Sequence, residues 1–182
     1  MFMNPWHDLS AGPDVPVRLN VVVEIPRGSR NKYELDKQSG LFRFDRLLYS
    51  AVHYPGDYGF IPRTWAGDDD PLDVLVLTTV PTFTGCIIEA RPLGVFVMED
   101  RGTDEKILAV PLRDPLYNEY RQLSDVAPHF LREVEHFFTI YKDLEGGRVR
   151  TLGWRGLDAA TAAIRDSCTR YLEKYGAPAA TT

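Results

Sequence analysis

The 182-residue chain has only two cysteines, Cys86 and Cys168, and neither stands in a CxxC or Cys/His spacing. A disulfide framework and a zinc site are therefore not indicated, and both thiols read as buried or inert. No apolar stretch reaches 18 residues, and the opening MFMNPWHDLSAGPDVP lacks a basic segment followed by an apolar run. Neither a membrane-spanning helix nor a secretory signal is expected, which leaves the cytoplasm as the expected address. Basic excess is missing as well: 21 Lys and Arg face 26 Asp and Glu, for a net charge of −5. Affinity for nucleic acid comes mainly from neutralising phosphates, so neither nucleic acid nor a membrane surface is an expected partner. Histidines number four, and His7, His53, His129 and His136 show no ligand spacing. They read as structural or surface groups. Internal repeats and low-complexity linkers are absent too.

What is present suffices for one compact domain over residues 1–182, with 44% hydrophobic and 12% aromatic residues. Residues 1–16 carry Pro5, Pro13 and Pro16 and read as an irregular arm; residues 177–182 read as a frayed tail. The first two-thirds is strand-like. Arg18–Ile25 is rich in Val and ends at Pro26, and Lys32–Asp36 with Leu41–Arg46 reads as a hairpin around Gln38-Ser39-Gly40. Tyr54-Pro55-Gly56-Asp57-Tyr58-Gly59 reads as a turn-rich loop, followed by strands at Val74–Thr79, Cys86–Val97 and Ile107–Pro111. The last third changes to a helical period. Phe130, Val134, Phe137, Phe138 and Tyr141 share one face after Pro128. A second stripe holds Ala160, Ile164, Cys168, Tyr171 and Leu172, with Asp158 as the expected N-cap and Gly176 as the stop. Strands first and helices second imply an α+β fold, and short strands with frequent turns favour a small barrel with the helices outside.

Asp68, Asp69, Asp70 and Asp73 put four carboxylates within six residues. Taken alone, such a run reads as a solvated acidic loop. As ligands, carboxylate oxygens suit hard cations such as Mg²⁺, Mn²⁺ or Ca²⁺. An EF-hand is excluded, because its sixth and twelfth positions counted from Asp68 hold Asp73 and Thr79. Asp68 and Asp70 fall on one side of an extended chain, Pro71 turns it, and Asp73 sits at the mouth of the next strand. Asp100 and Asp104 flank Gly102 at an expected hairpin tip, with Lys106 two residues on. Lys32 and Glu34 lie two apart on a strand near Glu24, and Arg46 suits bidentate phosphate contact. Tyr58 lies in the glycine-rich loop, while Tyr141 and Lys142 end the first long helix; core packing is an open alternative for Tyr141.

In this order the motifs resemble the family I soluble inorganic pyrophosphatases, in their bacterial type. The signature is Asp68-Asp69-Asp70-Pro71-Leu72-Asp73-Val74. Around it stand Val23-Glu24-Ile25-Pro26, Asn31-Lys32-Tyr33-Glu34, Phe44-Asp45-Arg46, Arg91-Pro92-Leu93-Gly94-Val95 and Tyr141-Lys142-Asp143-Leu144-Glu145. The resemblance covers about residues 18–175. It implies a five-stranded OB-like barrel with extra hairpins and two flanking helices, and a homohexamer. It implies Mg²⁺-dependent hydrolysis of pyrophosphate to two phosphates by a metal-bridged water, with several Mg²⁺ per site and Mn²⁺ or Zn²⁺ as substitutes. The implied metal ligands are Asp68, Asp73, Asp100 and Asp104, with Glu24 and Glu34 nearby. The implied phosphate contacts are Lys32, Arg46, Tyr58, Lys106, Tyr141 and Lys142. Asp70 is the implied base, and Asp104 the alternative. Two rival readings stay open: a metal-dependent hydrolase of another diphosphate or nucleoside polyphosphate, and a non-catalytic divalent-cation or OB-type binding module.

Overall fold

A computed structural model describes residues 3–100 and 102–176. The expected tail at 177–182 lies outside the described residues. Strands β1 (Leu19–Ile25), β4 (Asp57–Phe60), β5 (Asp73–Val76), β6 (Ile87–Glu99) and β7 (Thr103–Pro111) pair in the order β1-β4-β5-β7-β6. A further β1–β6 pairing joins the two ends, so the five strands close into a ring. Strand β8 (Arg150–Arg155) adds to β6 outside the ring, and β2 (Asn31–Leu35) with β3 (Phe42–Leu47) forms a separate hairpin. All ring pairs are antiparallel except β5–β7.

Alternation along the strands explains the packing. Val74, Val76, Val95, Val97, Ile107 and Ala109 go to one buried cluster, which also contains Ala160 and Ile164 of helix α3 (Leu157–Tyr175). Their neighbours Leu75, Leu77, Phe96, Met98, Leu108 and Val110 go to another, with Val134, Phe137 and Phe138 of helix α2 (Pro128–Ile140). Because both faces of these strands are covered, they read in sequence as continuous apolar runs rather than as alternation. Each large side chain buried this way contributes roughly 1.5–3 kcal/mol.

Several local expectations are corrected. The segment read as a turn-rich loop contains β4, whose four residues are all buried. Gly59 is needed there because a Cβ at this position would lie 1.9 Å from the Val22 carbonyl oxygen across the β1–β4 pair. The cap of α3 is Gly156, not Asp158, which sits in the first turn, where its charge complements the helix dipole. Leu172 faces outward and is 49% exposed. The arm is not wholly irregular: helix α1 (Pro5–Asp8) starts at Asn4, whose side chain accepts from the Trp6 amide, and Trp6 is 2% exposed.

Candidate active site

The register of the ring assembles one wall of a cleft of about 1040 Å³. Asp73 pairs with Lys106 across β5–β7, and Asp104 is two residues from Lys106, hence on the same face. Tyr58 lies diagonally from Asp73 across β4–β5, where Phe60 is the direct partner. The side chains converge accordingly. The Lys106 ammonium donates to Asp73 Oδ2 at 2.7 Å, to the Tyr58 hydroxyl at 2.8 Å and to Asp104 Oδ1 at 3.0 Å. The Tyr58 hydroxyl in turn donates to Asp73. Lys106 is 4% exposed and also sits over the rings of Tyr58 and Phe138.

The opposite wall is the β2–β3 hairpin. Lys32 and Arg46 are direct cross-strand partners, so both cations point the same way. Lys32 pairs with Glu34, and the Arg46 guanidinium pairs with Glu145 at 2.8 Å. Glu24, on β1, accepts from the Leu35 amide at 2.8 Å and is partly exposed to the cleft while packed by protein elsewhere. At the end of α2, Tyr141 is buried in the aromatic cluster with its ring stacked on Phe137, and Lys142 pairs with Asp100 at the β6–β7 tip. All thirteen residues expected from the sequence line this cleft. Residues that the sequence reading missed line it as well, among them Lys37, Tyr54, Glu145 and Arg148. Of these, Lys37 pairs with Asp70.

The acidic loop is rigidly fastened. The Ala66 amide donates to the Asp70 carbonyl at 2.7 Å, and the Leu72 amide donates to Thr64 Oγ1 at 2.8 Å. Asp69 takes a left-handed φ of 68°, which Asp tolerates better than most residues. Crowding of carboxylates shows in their protonation. Burial, then the charge of Asp73, Asp104 and Asp70, raises the pKa of Asp68. Burial raises that of Asp104 too, against the pull of Lys106. Burial pushes Glu24 up to about 8. Burial alone would lower the Lys106 pKa, but Asp73, Tyr58 and Asp104 hold it well above the ordinary lysine value.

Nine carboxylates and six cationic side chains line the cleft, so it carries excess negative charge. Among the described residues, no three acids stand ready around a common metal point. Asp70, Asp73, Asp100 and Asp104 are each drawn to a lysine instead. The donor set nevertheless fits a hard divalent cation: it is all oxygen, it is crowded, and its acids outnumber the cations that line the cleft.

A sequence model of the family described as inorganic pyrophosphatase matches residues 21–172. The chain belongs to the inorganic pyrophosphatase family. It is 54% identical over 156 residues to an inorganic pyrophosphatase of Methanosarcina acetivorans, covering 85% of this chain and 93% of that one. Soluble inorganic pyrophosphatase 3 of Arabidopsis thaliana is 48% identical, over 93% of this chain and 79% of its own length. The crystal structure of the inorganic pyrophosphatase from Thermus thermophilus superposes with a TM-score of 0.90 at 42% identity, over 93% of this chain and 99% of that one. The pyrophosphatase structures thus share this closed ring with flanking helices. No helix among the described residues is long and apolar enough to cross a membrane.

Proposed function

We propose that this chain is an inorganic diphosphatase that hydrolyses pyrophosphate to two phosphates with Mg²⁺ as its metal. The observation that carries this reading is one cleft lined by the Asp68–Asp73 signature, by Asp100 and Asp104 with Lys142 beside them, and by Lys32 and Arg46 on the facing hairpin. Pyrophosphate is small and highly charged, and its hydrolysis asks for charge neutralisation and an activated water rather than an apolar pocket.

Asp68, Asp73, Asp100 and Asp104 would hold the metal ions, with Glu24 and Glu34 beside them. Bound there, Mg²⁺ would supply a lowered pKa for water and positive charge against the phosphoryl oxygens, with Mn²⁺ or Zn²⁺ as substitutes. Asp70 accepts the proton of the attacking water, with Asp104 as the alternative base. Lys32 and Arg46 bind phosphoryl oxygens from the hairpin side. Lys142, Lys106 and the hydroxyls of Tyr58 and Tyr141 bind them from the ring side. Burial, then the charge of Asp73, raises the Tyr58 pKa, so the phenol stays a donor. In this scheme Lys142 exchanges Asp100 for phosphate, which frees that carboxylate for a cation.

We also infer a single domain over residues 1–182 and a cytoplasmic location, supported by the composition and the family resemblance, and a homohexamer, supported by the family resemblance alone. Phosphate release from pyrophosphate and from ATP, measured with Mg²⁺, Mn²⁺ or Zn²⁺ and with chelator, tests the function. Release from pyrophosphate with Mg²⁺, abolished by chelator, is expected. A preparation that leaves pyrophosphate intact but cleaves ATP would overturn it.

A further inference from the structure

The N-terminal arm carries more structure than a surface connection needs. Its Trp6 is 2% exposed, stacked on Trp65 at a centroid distance of 5.6 Å and an interplanar angle of 9°. The indole N–H donates to the Thr64 carbonyl at 2.9 Å. Thr64 is itself fully buried, and its hydroxyl accepts from the Leu72 amide while donating to the Ile61 carbonyl at 2.6 Å. One residue therefore links the arm to the far end of the acidic loop. The neighbouring Arg63 holds a left-handed φ of 53°, which is strained for an arginine. The arm fixes it: the Arg63 amide donates to the Trp6 carbonyl at 2.9 Å, and its Nε donates to the His7 carbonyl at 3.0 Å. Strain of this kind persists only where the surroundings over-determine it, and it concentrates near functional sites.

The same arm reaches the opposite wall of the cleft. Asn4 Nδ2 donates to the Lys37 carbonyl at 3.0 Å, and a Cβ at Gly40 would lie 2.8 Å from the Met3 carbonyl oxygen, so the β2–β3 turn is seated directly on the arm. The Lys37 ammonium sits 5.4 Å from the Trp6 ring centroid, donates to the Asp69 carbonyl at 3.3 Å and pairs with the Asp70 carboxylate. Trp6 thus touches the base of the acidic loop through Thr64 and its tip through Lys37.

We propose that Trp6 and Lys37 are positioning residues of the active site, Trp6 bracing the acidic loop from the N-terminal arm and Lys37 aiming Asp70. The proposal rests on the reading of this cleft as a pyrophosphatase site. Lys37 contacts the Asp70 carboxylate and Trp6 contacts the loop only through Thr64 and Lys37, so each acts through the placement of carboxylates. Displacement of a reacting group by about 1 Å can cost on the order of 100-fold in rate.

The test uses the full-length protein with Mg²⁺ and pyrophosphate at saturating concentrations, well below the unfolding midpoint of every variant. Lys37→Gln is expected to lower kcat by roughly 10-fold or more with a smaller change in KM, and Lys37→Arg to restore most of it. Lys37 is half exposed, so its removal leaves the fold intact. Trp6→Phe keeps a stacked ring but lacks the donor to Thr64, and is expected to lose kcat by a smaller factor than Trp6→Ala. If Lys37→Gln and Trp6→Phe both keep kcat within twofold of the parent, the proposal is wrong. Equal losses in Lys37→Arg and Lys37→Gln would also overturn the role given to Lys37. A parent protein without pyrophosphate hydrolysis overturns the functional reading itself, so the two failures are distinct.

Discussion

Lys106 and Asp73 are register partners across the parallel pair β5–β7, and their charged groups lie 2.7 Å apart at the floor of the cleft. The ammonium is 4% exposed, so this ion pair is held largely away from water. Asp104 and Tyr58 complete its contacts. The lysine therefore compensates acids that a divalent cation would also compensate.

Replacing Lys106 by Met should expose that balance. Removing one partner of a buried ion pair costs about 3–5 kcal/mol, because the remaining charge stays buried without compensation. Denaturant unfolding of Lys106→Met in chelator should show a loss of that order. With Mg²⁺ the loss should shrink, because acids released from Lys106 bind the cation more tightly in the variant than in the parent, and tighter binding to the folded state adds stability. An equal loss with and without Mg²⁺ would separate Lys106 from the cation site.

Asp70→Asn should keep the fold and reduce kcat by roughly 10²–10⁴-fold, the usual weight of a positioned base. Circular dichroism and steady-state phosphate release check the two halves of that statement. Near-parental turnover at neutral pH would move the role of base to Asp104.

Glu24 gives a pH dependence with a definite sign. Burial pushes its pKa up to about 8, above the ordinary glutamate value of 4.5. The folded metal-free protein therefore prefers the protonated acid. That contribution is fully present below pH 4.5 and is lost as pH rises through about 8. In chelator, Glu24→Gln should flatten the decline of stability over this window, measured by denaturant unfolding at several pH values. A Glu24→Gln curve that falls as steeply as the parent's would place the titration elsewhere.

Gly59→Ala should be severely destabilising. The added Cβ would meet the Val22 carbonyl at 1.9 Å, and backbone cannot yield as a side chain tip can. A loss of more than about 3 kcal/mol is expected, beyond what most single substitutions cost. A melting temperature within a few degrees of the parent's would mean that β1 and β4 can separate without harm.

The local chemistry of the site was open to sequence reasoning because it is written in short-range spacing. The acidic signature, the Asp100–Asp104 tip, the Lys32–Glu34 strand face and the helix after Pro128 all rest on neighbours within a few residues. Their order along the chain supplied the family and its five-stranded architecture. Strand β4 was hidden because Pro55, Gly56 and Gly59 carry turn chemistry, whereas the ring requires a residue without a Cβ at position 59. Strand β8 was missed because half-exposed polar residues and a left-handed Gly153 break any strand pattern. The roles of Lys37 and Trp6 were out of reach for another reason. Trp6 meets Thr64 across 58 positions, and Lys37 reaches Asp70 across 33.

Sequence by itself determined which chemical groups the chain carries, because residue type and local periodicity are properties of neighbouring positions. Tertiary structure alone decided which groups meet: Lys106 with Asp73 and Asp104, Lys142 with Asp100, and the N-terminal arm with the acidic loop. Those meetings follow from ring closure and strand register, which are set by long-range packing and leave no local mark in the chain.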